Sequence, residues 1–415
     1  MERHVWTLVL ALVACDAGAV ETDGGSSARD ASGRDASGLD ASGLDASGGR
    51  DAGGQDAGGD AGMPTDATVA APDAGPTLRT AYLHPFASDA VQNTAIGAGA
   101  IFEAASATRT AMLHSATPGS GLTGGPTINR HNWSFQMALA SADDPLVTLE
   151  YRTSAGVQAT YDIRLPTWVD ATGGTDRHVG VVQPDGYTLY EMYKFQRSSA
   201  SVVTSTYVNV NDIRGDGLRR GSRASGISFL TGLIRAHEVD ALDIPHTLAL
   251  GIPMRMLKLE PDTSDGTPTG WNGTRFRAVW PARLQDTQSA SMVYEGPIAM
   301  GSLFAIPGDV DLASLDLSPE GMALGRALQD YGAHVLLQAN TSALFVEPET
   351  DEAAWQRMRD DWTRWPDGLF WQLRRVTNND PGELTADNSP VDPAGVSGGG
   401  ARRRPAPPPL REGSP

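Results

Sequence analysis

The sequence predicts a mainly β protein, an antiparallel, jelly-roll-like β-sandwich with a few peripheral helices. Many short segments have the composition of strands and are bounded by Gly, Pro, Asp and Asn at short spacing. This pattern is typical of antiparallel sheets rather than of βαβ units. No glycine-rich phosphate loop follows any strand, so a nucleotide-binding fold has no support. An α+β arrangement is the alternative. The clearest strand segments are LVTLEYRTS, ATYDIRL, HVGVVQ, YTLYEMYKF, SVVTSTYVNV and RFRAVWPARL.

Helical periodicity is confined to three stretches. Residues 318–332 read SPEGMALGRALQDYG, in which Ser318 is a suitable N-cap and Gly332 a suitable stop. Residues 350–365 place large apolar side chains on one stripe, a pattern more typical of a docking face than of a sugar-binding platform. These side chains are Trp355, Met358, Trp362 and Trp365. Residues 231–242, TGLIRAHEVDAL, predict a third, short helix.

The chain begins with a stretch that resembles an export signal. The apolar run from Val5 to Ala14 is too short to span a bilayer as a helix. It ends in Leu-Val-Ala-Cys, which resembles the lipobox of bacterial lipoproteins, and Cys15 is the only Cys in the chain. We therefore expect a signal peptide over residues 1–14 and a lipid, including palmitate, on Cys15. The alternative is a stray buried Cys after a signal sequence. Lipidation predicts an extracytoplasmic protein of the bacterial cell envelope, in the periplasm or at the cell surface, with the leaflet left open.

Residues 15–78 form a low-complexity linker. From Arg29 the sequence repeats Asp-Ala-Ser-Gly at a period of five residues. Such a composition cannot bury enough apolar surface to offset its conformational entropy, so we expect a flexible spacer spanning roughly 40–45 Å. Calcium binding by the repeated Asp residues is the weaker alternative, because calcium loops end in a bidentate Glu. A single β-rich domain is expected over 79–376 and a disordered tail rich in Gly, Pro and Arg over 377–415.

The charge of the chain limits its partners. The formal net charge is −18, and residues 16–78 contribute half of it with 12 acidic residues against three Arg. An acidic chain repels nucleic acid and anionic lipid, so we expect no nucleic-acid partner. The expected partners are the membrane, through the lipid, and a polysaccharide. We expect a monomer without a cofactor.

Three polar residues interrupt the apolar runs of a predicted hairpin: Asp176, His178 and Glu191. An imidazole beside a carboxylate can act as a general base or acid, and Gly180 on the same strand leaves space for a ligand. The alternative is a solvent-exposed polar face, which is common on antiparallel sheets. The pattern predicts a catalytic set only if the three side chains share one face of the hairpin.

The turn decides whether they share a face. If Asp185-Gly186 forms a two-residue loop, Gly180 lies opposite Glu191, and His178 lies opposite Tyr193 on the same face. If Pro184 joins them in a three-residue loop, the register moves by one residue and His178 leaves that face. The Pro favours the second geometry and the segregation of apolar residues favours the first, so both remain open.

The segment DRHVGVVQPDGYTLYEMY, residues 176–193, resembles the signature of a secreted bacterial family of uncharacterised proteins. Members of that family carry Asp-Arg-His-Val, a hairpin and then Leu-Tyr-Glu-Leu-Tyr, and the likeness covers most of residues 165–347. The chain departs from the pattern at residues 338–341, where Gln-Ala-Asn-Thr replaces Ala-Asp-Asn-Gly. The resemblance supplies positions rather than a mechanism. The positions it implies are Asp176, His178, Glu191, Arg235, Glu238, His246 and Arg283.

Two functions follow from these residues. The first is an extracytoplasmic hydrolase or lyase that acts on extracellular or envelope polysaccharide. It would use Asp176, His178 and Glu191 for catalysis, and the ligand-binding candidates are Tyr193, Arg235, Glu238, His246 and Arg283. The second is a non-catalytic surface binding or adhesion domain. Asp176, His178 and His246 could hold zinc or copper if the fold brought them together, but no HExxH-type motif supports this and we expect no metal site.

Overall fold

The structure is a computed structural model, and only part of the chain is described. The predicted signal peptide, Cys15, the predicted linker, Arg283 and residues 379–415 of the predicted tail lie outside the described residues. All described residues belong to one compact unit. Within them, no helix is long and apolar enough to cross a membrane. The described ranges are 81–115, 125–218, 221–258, 279–282 and 294–378.

Strands dominate the described residues. They are β1 (Thr127–Asn129), β2 (Phe135–Leu139), β3 (Leu146–Thr153), β4 (Gly156–Arg164), β5 (His178–Val182), β6 (Thr188–Tyr193), β7 (Gln196–Arg197), β8 (Val202–Ser205), β9 (Tyr207–Asp212), β10 (Leu248–Pro253), β11 (Leu303–Ala305), β12 (Ala333–Ala339), β13 (Ala343–Phe345) and β14 (Arg374–Arg375). The helices are α1 (Thr108–Leu113), α2 (Ala236–Ala241), α3 (Pro319–Asp330), α4 (Glu352–Thr363) and α5 (Leu369–Gln372). Short 3₁₀ turns lie at Val91–Asn93, Met254–Met256 and Leu312–Leu315.

The strands form three mixed sheets in the described part of the chain. One has six strands in the order β1-β13-β10-β12-β11-β14, and two have four, in the orders β2-β5-β6-β9 and β4-β3-β8-β7. The prediction of antiparallel sheets is wrong in part, because β2/β5, β3/β8, β1/β13 and β10/β12 are parallel pairs. Parallel partners need a long crossover, and β3 and β4 form such a connection between β2 and β5. The fold is sheet-rich with several helices.

The sheet that carries the predicted hairpin is covered on both faces. Val179, Val181 and Met192 belong to an apolar cluster shared with the β4-β3-β8-β7 sheet, which contributes residues such as Leu149. On the opposite face, Val182 and Leu189 join the large core that contains the six-stranded sheet and the helices. The alternative of a solvent-exposed polar face is therefore wrong, since His178 is 8% exposed and Glu191 is 0% exposed.

The predicted helix signals largely hold. The Ser318 hydroxyl accepts the Gly321 N–H at 3.0 Å at the start of α3, and Gly332 adopts φ +70° just beyond its end. In α4, Met358 and Trp362 are fully buried as docking residues, whereas Trp365 lies beyond the end of the helix and is exposed, so the predicted stripe is wrong at that position. The third helix is shorter than predicted and begins at Ala236, because the preceding residues 231–234 form a buried loop that bridges to the neighbourhood of β13.

Candidate functional site

The hairpin of β5 and β6 adopts the register in which Gly180 pairs with Glu191. The rings of His178 and Tyr193 lie with centroids 5.5 Å apart, as that register requires. Side chains alternate between the two faces along each strand, so Glu191 and His178 lie on the same face of the sheet. The first of the two predicted registers is therefore confirmed.

The loop that sets this register is longer than either prediction. Gln183 N donates to Thr188 O at 2.8 Å and closes the last pair, which leaves four residues in the loop. Gly186 N donates to Gln183 O at 2.8 Å, and Gly186 has φ +78°. One Asp185 oxygen accepts the N–H groups of Tyr187 and Thr188 at 2.9 and 2.8 Å. A carboxylate that caps two backbone donors stabilises this wider turn.

His178 is sealed in an aromatic cage. Its ring stacks on Phe135 at 4.6 Å between centroids and meets the edge of Phe229 at 4.8 Å. The Nδ1 atom is buried and has no hydrogen-bond partner among the described residues. Burial, followed by the charge of Arg223, lowers the pKa of His178 to about 3. The imidazole is therefore neutral at physiological pH and packs as an aromatic side chain.

Glu191 is fully used by internal hydrogen bonds. Its carboxylate accepts Asn211 Nδ2 at 3.2 Å, Ser222 N at 2.8 Å, Phe229 N at 2.6 Å and the Ser228 hydroxyl. Burial raises the pKa of Glu191, and these hydrogen bonds oppose the rise. The donors come from β9 and from residues 222–229, so Glu191 fastens that loop to the sheet. Four donors on one carboxylate are characteristic of a structural anchor.

Arg223 completes this buried network, and the sequence did not single it out. Its guanidinium donates to Ser228 O at 3.0 Å and to Phe229 O at 2.8 Å, and it lies 4.3 Å from the centroid of the Phe135 ring. Burial lowers the pKa of Arg223 to about 9, against the opposing charge of Glu191. The Gly/Ser-rich segment around Arg223 gives no sequence signal that its side chain is buried against strands distant in the sequence.

Asp176 is separated from this network. It is half-buried, with its carboxylate 3.5 Å from the Tyr193 hydroxyl, and burial raises its pKa. Among the described residues, no hydrogen bond joins His178 to Asp176 or to Glu191. The three lie on one hairpin but do not form a hydrogen-bonded set, so their catalytic role stays a prediction. Nor do the described ranges contain a group of three or more His, Cys, Asp or Glu placed to hold a metal ion.

The structure brings three of the other candidates together in a second buried cluster. The Glu238 carboxylate accepts Arg235 N at 2.9 Å and lies 2.9 Å from His246 Nε2. Arg235 Nε donates to Glu347 at 2.6 Å. Burial alone would lower the pKa of His246, but Glu238 outweighs it and the net shift is upward. The side chains of Arg235, Glu238, His246 and Glu347 are all buried. The cluster therefore stabilises the start of α2 within the core.

A cleft lies next to the Glu191 network. Its volume is about 330 Å³. We call it the Asn211 cleft; its walls include Phe86, Asn211, Asp212, Asp216, Gly217 and Ser228. Asn211 and Ser228 both donate to Glu191. Glu191 therefore holds two residues of the cleft wall in place and does not itself line the cleft. The sequence signal that could have identified the cleft is the Asn-Asp-x-x-Gly-Asp-Gly run of residues 211–217, which begins in the last two residues of β9.

Comparisons with known protein families, curated proteins and solved structures found no match. The resemblance of residues 176–193 to a secreted bacterial family therefore stays a prediction, and the site is interpreted from its own geometry.

Proposed function

We propose that this chain is a lipid-anchored protein of the bacterial envelope whose β-rich domain binds polysaccharide without cleaving it. The observation that carries the proposal is the Glu191 carboxylate, which is saturated by four internal donors. A catalytic carboxylate must reach the proton or the carbon that it acts on, and Glu191 is 0% exposed. His178, with its buried ring and lowered pKa, supports the same choice.

The arrangement of the two four-stranded sheets is consistent with this function. Their facing side chains share one apolar cluster, and we infer that the two sheets form a β-sandwich. Sandwiches often carry polysaccharide sites, and that support is an analogy at the level of the fold. A lipid on Cys15 and the spacer that follows it would let the domain reach polymer away from the membrane.

The charge of the protein favours an uncharged polymer. The net charge of −18 repels anionic polysaccharides and nucleic acids over distances of about a Debye length. Carboxylates accept hydrogen bonds and do not donate them, so Asp212 and Asp216 at the cleft favour a ligand that is rich in hydroxyl groups.

The test uses the full-length protein in detergent and a panel of neutral envelope and plant polysaccharides. Co-sedimentation measures binding, and assays for new reducing ends and for unsaturated sugar ends measure cleavage. We expect binding to at least one neutral polysaccharide and no cleavage product from any of them. Cleavage by the wild-type protein would favour the hydrolase or lyase, and a failure to bind any polysaccharide would refute the proposed function.

A further inference from the structure

We propose that the Asn211 cleft is the ligand site and that it binds a neutral, hydroxyl-rich ring, namely one or two sugar residues. The proposal rests on the proposed function, since it names the place and the chemistry of binding. None of the residues predicted from the sequence lines this cleft. Its volume of about 330 Å³ lies at the lower end of the range of ligand pockets, which suits a short sugar unit.

Asn211 lines the cleft and has one buried acceptor that is not satisfied. The residue is 4% exposed, and its Nδ2 donates to Glu191 at 3.2 Å. Because the carboxylate is surrounded by donors and must accept, the amide nitrogen faces it and the orientation of the side chain is fixed. The Oδ1 atom is buried and accepts no hydrogen bond from any described residue. A buried acceptor without a donor is costly, so a ligand hydroxyl that reached it would bind favourably.

The two carboxylates at the cleft differ in their surroundings. Asp212 is held by Arg214, whose guanidinium donates to it at 2.7 and 2.9 Å. Asp216 is exposed, and one of its oxygens accepts Leu218 N at 2.9 Å. Because Arg214 already donates to both oxygens of Asp212, we assign the ligand hydroxyl to Asp216.

The apolar wall of the cleft is fixed in place. Phe86 adopts φ +72°, which is rare for a bulky residue, and its N–H donates to Ile213 O at 2.5 Å. Its ring lies against Gly217, where an added Cβ would be 3.2 Å from the ring. Strained backbone at a cleft is typical of binding sites that the surrounding structure holds rigid. Phe86 and Gly217 are the apolar part of the lining, and we assign them to the C–H groups of the sugar.

The test compares matched variants of the full-length protein. Asp216→Arg places a long cationic side chain at the mouth of the cleft, and Asp309→Arg makes the same change of charge at an exposed loop position outside it. Asp216→Asn keeps an oxygen for Leu218 N and removes only the charge. The probes are glucose, galactose, mannose, maltose, cellobiose and lactose, measured by calorimetry or ligand-observed NMR, followed by the polysaccharide that the wild-type protein binds.

We expect Asp216→Arg to weaken binding of a neutral sugar by about tenfold or more and Asp216→Asn by about threefold, while Asp309→Arg stays within about twofold of wild type. If the wild-type protein binds polysaccharide and Asp216→Arg binds it equally well, the cleft proposal is overturned and the proposed function stands. If the wild-type protein binds a polysaccharide but none of the small sugars, and Asp216→Arg still binds that polymer, the same conclusion follows. Absence of all sugar and polysaccharide binding by wild type overturns both.

Discussion

At the scale of single residues, His178 acts as a buried aromatic side chain. His178→Phe keeps the stacking on Phe135 and Phe229 and removes the unpaired Nδ1. We therefore expect the free energy of unfolding at neutral pH to stay within about 1 kcal/mol of wild type or to rise. Urea unfolding at neutral pH measures this, and loss of the folded state would contradict the assignment.

The same variant should change the response to acid. The folded pKa of His178, about 3, lies below its ordinary value. As the pH falls below about 6.5, the unfolded chain takes up the proton first, so stability is lost toward pH 3. The loss from this one group is about 2 kcal/mol between pH ~6.5 and ~5. His178→Phe should recover that part, while the loss of stability due to His114, His237 and His334, whose pKa values are also lowered, should persist. An unchanged acid response would count against a sealed imidazole.

Glu191 carries the larger energetic consequence. Glu191→Ala leaves four buried donors without an acceptor, so we expect a loss of about 3–5 kcal/mol in the free energy of unfolding. Glu295→Ala, at an exposed position, is the control and should change stability by no more than about 0.5 kcal/mol. Equal stabilities of the two variants would show that Glu191 is not an anchor.

At the scale of elements, the turn at Asp185 sets the register of the β5–β6 hairpin. Asp185→Ala removes the acceptor of the N–H groups of Tyr187 and Thr188 and of the Thr188 hydroxyl. We expect this change to cost about 1–2 kcal/mol in thermal or urea unfolding. Asp143→Ala, at an exposed turn elsewhere, should cost less than about 0.5 kcal/mol. If Asp185→Ala lowered the stability as little as Asp143→Ala, the turn would not depend on the Asp185 carboxylate.

Local signals were readable from the sequence and distant partners were not. The cap at Ser318 and the strand run of β5 depend on residues within a few positions, and the structure has both. The apolar segregation of the hairpin also pointed to the right register. Glu191, however, meets Ser222 and Phe229, which lie 31 and 38 residues along the chain. No periodic pattern indicates contacts of that kind, so the burial of the hairpin's polar residues was not foreseen.

At the scale of the whole molecule, the sheet-rich class was predictable and the pairing of the strands was not. Alternating apolar residues indicate a strand but leave the direction of its partner open. The parallel pairs β2/β5 and β3/β8 arise because each sheet is built from strands that the other sheet separates in sequence. This exchange covers one face of the hairpin sheet, and the large core with the six-stranded sheet covers the other, so Glu191 and His178 become core residues.

The lipid anchor is a prediction about the whole chain. Cys15→Ser removes the thiol that would be acylated, so we expect the variant to move from the membrane fraction to the soluble fraction and to lose metabolic labelling with palmitate. Ser26→Ala, in the linker, is the control and should remain in the membrane fraction. Retention of Cys15→Ser in that fraction would remove the anchor from the proposal.

Non-catalytic binding is tested most directly by comparing wild type and His178→Phe on a neutral polysaccharide that the wild-type protein binds. Binding and the release of new sugar ends are measured in the same samples. The proposal predicts that the two proteins bind within about twofold of each other and that neither releases product. Release of sugar ends by wild type that His178→Phe abolishes, with the variant still folded, would contradict it.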